Sequence, residues 1–223
     1  MFDALYRNSR LRVTELARSL TDEQLASRVA GTPRWTGRQV VAHLAGVAAD
    51  ILAGNLDGAP QEHWTAAQVT AREGRTLAQL LAEWDEAGPA VEAGLADRSV
   101  RPVTVFDVVT HECDLRETFG LARPPAEDVH AVAGAVAKGR MRGFGGPGTL
   151  LIRAGGQEWT GGDGPPRTEL AVEPYELLRG LISRRSRRQM RAWPWDGEGD
   201  VEGLIETLPV FGARDDDQPV PPP

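Results

Sequence analysis

The sequence predicts an α+β protein: a helical bundle over residues 1–122, a small α/β unit over 126–211, and a tail over 212–223. Three observations carry that division. Apolar residues recur at helical spacing through the first half. Composition changes at Ala122-Arg123-Pro124-Pro125. Beyond that linker, short alternating runs are punctuated by glycine and proline, as strands and turns are.

In order, Leu5, Leu11, Val13, Leu16 and Leu20 mark a first helix from about Phe2. Thr21-Asp22-Glu23-Gln24 has the form of a capping box before a short helical turn, and Gly31–Trp35 reads as a turn. Thr36-Gly37-Arg38-Gln39 is a second box, opening a helix with Val40, Val41, Leu44, Val47, Ala48, Ile51 and Leu52 as its apolar face. Gly58 closes it. Thr65–Gln68 reads as a further box, and Leu77, Leu80, Leu81, Trp84, Val91 and Leu95 define a long helix interrupted by Pro89. A helix around Thr104–Leu115 ends at Phe119-Gly120. Four long helices with short connections predict a bundle.

In the second unit, 126–142 reads as a helix and Gly143–Gly148 as a break. Thr149–Arg153 and Glu158–Thr160 form a hairpin turned at Gly155-Gly156, and 168–172 alternates as a strand. Pro174 starts a helix through Ser183, Gln189–Trp193 reads as one more strand, and Val201–Leu208 as a last helix. The acidic, proline-rich tail has nothing to bury and is expected to be disordered.

Composition excludes several function classes. A net charge of −7 argues against nucleic-acid or anionic-membrane partners that need a basic surface. No apolar run approaches a membrane span, and Met1-Phe2-Asp3-Ala4 has no charged-then-apolar leader. The single cysteine, Cys113, rules out an intrachain disulfide and fits a reducing cytoplasm. A monomer or a homodimer fits equally well.

The chemistry lies on the fourth long helix. Asp107 and His111 stand four residues apart, so they stack on one face of a helix that is otherwise largely apolar. Burying such groups costs several kcal/mol (~2–7) unless they are paired or bound to a metal. His43, at a core-facing position of the second long helix, can join them. Two imidazoles and a carboxylate with an open position suit a catalytic zinc and equally non-haem iron, with nickel as a further alternative. Asp-x-x-x-His alone fits just as well a buried hydrogen-bonded pair with His43 as an unrelated core residue.

Trp35-Thr36-Gly37-Arg38-Gln39-Val40-Val41-Ala42-His43-Leu44, preceded by Leu20–Gln24, resembles the mycothiol-dependent maleylpyruvate isomerase family, built on the DinB-like metal-binding four-helix bundle. Asp107–His111, running to Asp114-Leu115 and Gly120, looks like that family's second metal motif. Glu158–Thr160, Tyr175–Leu178 and Val201–Leu204 are similar to its smaller C-terminal domain. The resemblance implies His43, Asp107 and His111 as ligands of a divalent metal, zinc first. Asp107 stands where the family commonly has glutamate, one methylene longer. The resemblance also implies mycothiol, the small thiol of actinobacteria, as cofactor, and a small electrophile as substrate. A metal-activated thiolate would isomerise that electrophile or be transferred to it. The contrasting expectation is a non-catalytic bundle that binds a metal or ligand in a regulatory role.

Asp114, one turn beyond His111, is the candidate general acid or base, or else the acceptor that orients His111. Arg184 and Arg185 fall in a segment resembling the family's arginine-bearing one. Arg184 is the candidate catalytic arginine, and both are candidates for the polar head of the cofactor or an acidic substrate. At a helix C-terminus such cations also simply complement the dipole. Cys113 sits about 200° around the helix from His111 and is expected to be buried and inert. His63, in a loop, and His130, near a helix start, are expected to be exposed. Trp35 is expected to staple the start of the helix bearing His43.

Overall fold

The structure, a computed structural model, describes residues 1–221. By backbone contacts the chain divides into two compact units, Met1–Ala122 and Arg123–Pro223, each described by itself below. Among the described residues no helix is long and apolar enough to cross a membrane.

The first unit is built on four long helices: α1 (Phe2–Ser19), α3 (Gly37–Ala53), α5 (Leu77–Asp97) and α6 (Val103–Thr118). Two short helices, α2 (Asp22–Ala26) and α4 (Glu62–Thr70), and a small antiparallel pair, β1 (Arg28–Val29) and β2 (Thr32–Thr36), complete it. Helix starts follow local chemistry. Thr21, Thr36 and Thr76 each accept from the backbone N–H three residues on, and Gln24, Gln39 and Gln79 reach back to the cap. Gly54, at φ 69°, closes α3 in the left-handed conformation that costs glycine least. α6 has no side-chain cap and carries Val103, Val105, Val108 and Val109, all poor helix formers. Burial of Val105, Val108, Val109 and Leu115 against the bundle outweighs those weak preferences.

α1 is fastened to both neighbours by buried polar contacts. Towards α5, Arg10 reaches Asp85 at 2.6 Å and Glu92 at 3.2 Å, and Trp84 Nε1 donates to the Tyr6 hydroxyl at 3.0 Å. Towards α6, the fully buried Glu112 accepts from Ser9, from two nitrogens of Arg12, and from Arg116 within α6. Burial pushes the Tyr6 phenol up to about 12, against an ordinary value of 10.0. The folded chain then keeps that proton after the unfolded chain has lost it, so stability is expected to fall as pH rises from 10.0 to about 12. Urea midpoints should show this slope for the native chain and a shallower one for Tyr6→Phe.

The second unit holds a four-stranded sheet in the order β4 (Gln157–Gly161), β3 (Leu150–Ala154), β5 (Thr168–Ala171), β6 (Trp195–Gly197). β3 and β5 are parallel, and the outer pairs are antiparallel. Helices α7 (Ala126–Arg142), α8 (Pro174–Leu181), α9 (Arg187–Arg191) and α10 (Val201–Thr207) accompany it. Met141, Leu150, Ile152, Leu170, Leu177, Leu181, Met190 and Leu204 form its core.

Several expectations change. Gly31–Trp35, expected as a turn, contributes β2. Gln189–Trp193, expected as a strand, is largely the helix α9. Its start is a capping box from Ser186 to Gln189, a local signal stronger than its brief alternation. The last turn of α3 emerges from the core, leaving Leu52 exposed. The tail, expected to have no partners, acquires them: Arg187 N donates to Arg214 O, and Gln218 is buried in hydrogen bonds with Gln189. Positions 222 and 223 of that tail lie outside the described residues.

Candidate metal centre

Three side chains from two long helices of the first unit meet. α3 brings His43 inward about two turns after its cap, and α6 brings Asp107 and His111 on the same face. His43 Nε2 lies 3.3 Å from Asp107 Oδ2, and His111 Nε2 lies 3.6 Å from Asp107 Oδ1. One ligand atom from each of the three falls within 4.8 Å of the others. The rings are nearly sealed from solvent, at 2% and 6% side-chain exposure, while Asp107 retains 31%.

The far sides of the two rings settle which nitrogen carries hydrogen. His111 Nδ1 lies 3.1 Å from Asp114 Oδ2, and that carboxylate can only accept, so Nδ1 donates. His43 Nδ1 lies 2.7 Å from Gln68 Oε1, while Gln68 Nε2 donates to Asp50 Oδ2 at 2.8 Å. The amide therefore offers its oxygen to His43, whose Nδ1 again donates. In the neutral imidazoles both Nε2 lone pairs then face the Asp107 carboxylate.

Three acceptors turned towards one another repel unless something positive joins them. A divalent cation fits the spacing: with bonds of about 2.0–2.1 Å, tetrahedral neighbours sit roughly 3.4 Å apart. The separations of 3.3 Å to Oδ2 and 3.6 Å to the other oxygen, Oδ1, are each close to that edge, and one donor atom from each residue lies within 4.8 Å of the others. Neutral imidazole and carboxylate are also the donors zinc and ferrous iron take.

Around this centre, Trp35 of β2 packs over both rings, at centroid distances of 4.8 Å from His43 and 6.0 Å from His111. It thus lies against the centre as well as beside the start of α3. Asp114 is fully buried behind His111, on the nitrogen opposite the one facing Asp107. Asp114, expected as a general acid or base or as the acceptor that orients His111, is in hydrogen-bond contact with that ring. The i+3 spacing brings it to the rear of the ring. Cys113 is buried and apart from the three-residue cluster. His63 is exposed, on the first turn of α4 rather than in a loop, and His130 is half-buried on α7.

The two arginines lie in the second unit. Arg185, expected to meet the cofactor, is fully buried, with Nε and Nη2 forked onto Glu176 at 2.7 and 2.8 Å and Nη1 on Arg184 O. Burial requires a partner for its charge, and Glu176 supplies it, so the side chain braces its own unit. Arg184 is half-buried, with Nη1 donating to Ile182 O.

Residues 6–103 match the family model described as the mycothiol maleylpyruvate isomerase N-terminal domain. The match spans most of the first unit. The match includes His43 but ends at the first residue of α6, so Asp107 and His111 lie beyond it. Two solved structures share the fold of this chain. One is the crystal structure of the mycothiol-dependent maleylpyruvate isomerase, at TM-score 0.57 and 12% identity. The other is a histidine-to-alanine mutant of a mycothiol-dependent maleylpyruvate isomerase, at 0.58 and 10%. In each case the alignment covers 82% of this chain and 88% of the other. No curated protein matches the chain.

Sequence reasoning missed Gln68, Asp50 and the contact of Trp35 with the rings. Placing the box at Thr65 hid the true start of α4, whose N-cap is Gln61. With α4 starting there, Gln68 is one of its two buried side chains, and that inward position was the available signal.

Proposed function

We propose that this chain is a mycothiol-using enzyme in which His43, Asp107 and His111 hold a divalent cation, zinc first. Its substrate is a small electrophile, and the outcome is isomerisation or S-transfer. The observation that carries this reading is the convergence of two Nε2 lone pairs on Asp107 within a bundle of this family. A bound cation supplies a positive centre that favours the thiolate form of a thiol at neutral pH.

The chain's own residues prepare that centre. Asp114 and Gln68 hold the rings in one tautomer, aimed at a common point. Trp35 covers the rings and limits water on its side. Asp107, the most exposed of the three, marks the approach for a small molecule. Asp114 acts as the orienting acceptor. Arg184, in the second unit, is proposed to bind a carboxylate group, since a guanidinium fork suits it.

Zinc-loaded protein incubated with mycothiol and maleylpyruvate, then with other electrophiles, tests the proposal. Mass spectrometry and absorbance should show loss of the cis isomer or a mycothiol adduct, and neither should form with His43→Ala. A zinc-loaded chain that binds mycothiol yet yields neither product would be the non-catalytic binder.

A further inference from the structure

We infer that Gln68 and Asp50 are positioning residues for His43, a two-step relay that fixes which of its nitrogens faces the centre. This rests on the cation reading above. The two rings are backed differently. His111 donates directly to a buried carboxylate, Asp114. His43 donates to a neutral amide, and the carboxylate stands one residue further back.

The direction of the relay is forced. Asp50 can only accept, so Gln68 must turn its NH₂ towards it and its oxygen towards His43. His43 must then carry hydrogen on Nδ1, which leaves Nε2 bare towards Asp107. Asp50 is itself held, its Oδ1 accepting from Asn55 Nδ2 at 3.0 Å in the turn after α3. The charge on Asp50 thus selects the tautomer of a ring it does not touch.

The fold around Gln68 serves this contact. α4 is mostly exposed and buries only Trp64 and Gln68. Trp64 Nε1 donates to Asn55 O at 2.9 Å, and Arg72 donates to Gln68 O while paired with Glu83. Gly46, three residues after His43, lets α4 come close. A Cβ at that position would lie 2.6 Å from Gln68 Cβ, too near for the helix to stay in place.

Two measurements on the full chain test the relay. In metal-free protein, ¹⁵N–¹H spectra of the imidazoles should show His43 as the Nδ1–H tautomer. Gln68→Met keeps the bulk and removes the oxygen, and should give a tautomer mixture at His43 with His111 unchanged. Co²⁺ affinity by chelator competition should fall about 10–100-fold, the usual cost of losing an outer partner. Asp50→Asn, at a half-buried position, can accept or donate, so it should also mix the tautomers, and it carries the test if Gln68→Met does not fold.

A His43 tautomer unchanged in the variant overturns the proposal, and so does an unchanged Co²⁺ affinity. If the native chain takes up no Co²⁺, the cation reading has failed, and the tautomer comparison alone then decides the role of Gln68.

Discussion

His111→Ala is expected to abolish tight binding of Zn²⁺ or Co²⁺, lowering affinity by well over 100-fold, more than the roughly 10–100-fold lost with an outer partner. Asp107 and His43 alone cannot enclose a cation, because two donors on different helices leave most of its coordination to water. The change also removes the His111 donor from Asp114, a fully buried carboxylate. Thermal melts with and without metal separate the two effects. The native chain should gain stability on loading, by about 2.7 kcal/mol at a hundredfold excess over Kd. His111→Ala should gain none at the same concentration and should melt lower even without metal. Native-like uptake by the variant, measured by metal analysis of untagged protein, would mean that the three residues do not form the site.

The second large effect lies away from the centre, at Glu112. This carboxylate is fully buried and receives four donors: Ser9 Oγ at 2.7 Å, Arg12 at 2.8 and 2.9 Å, and Arg116 at 3.0 Å. It is the polar joint between α1 and α6. Glu112→Ala removes both carboxylate oxygens at once, taking this partner from two guanidinium groups at 21% and 17% exposure and from a buried hydroxyl. Breaking a buried pair from one side costs about 3–5 kcal/mol. Urea unfolding followed by tryptophan fluorescence should show the loss in the transition of the first unit. Pairing Glu112→Leu with Arg12→Met should recover much of it, since removing both charges also removes their desolvation cost. A single variant as stable as the native chain would show that the joint contributes nothing.

How legible the centre was depended on the kind of signal each residue left. Asp107 and His111 were readable because i and i+4 on an apolar helix leave one geometry. His43 was readable because its inward position follows from Val40 and Val47. The long helices of the bundle were readable for the same reason, and α3 also by its capping box. Gln68 was not, since its contact joins side chains 25 residues apart and its short helix shows no periodicity. The contact of Trp35 with the rings was not readable, because a two-residue strand pairing with a five-residue one leaves little pattern. Arg185 shows a different limit. Its charge suggested a ligand contact, and only the fold reveals that Glu176 already occupies its fork.

The uneven exposure of the three centre residues has a kinetic consequence. With both rings nearly sealed and the carboxylate 31% exposed, an ion held by the proposed centre would leave past Asp107. Exchange should then depend on the size of the competing chelator, with slim ones stripping the protein quickly and bulky ones of equal affinity waiting outside.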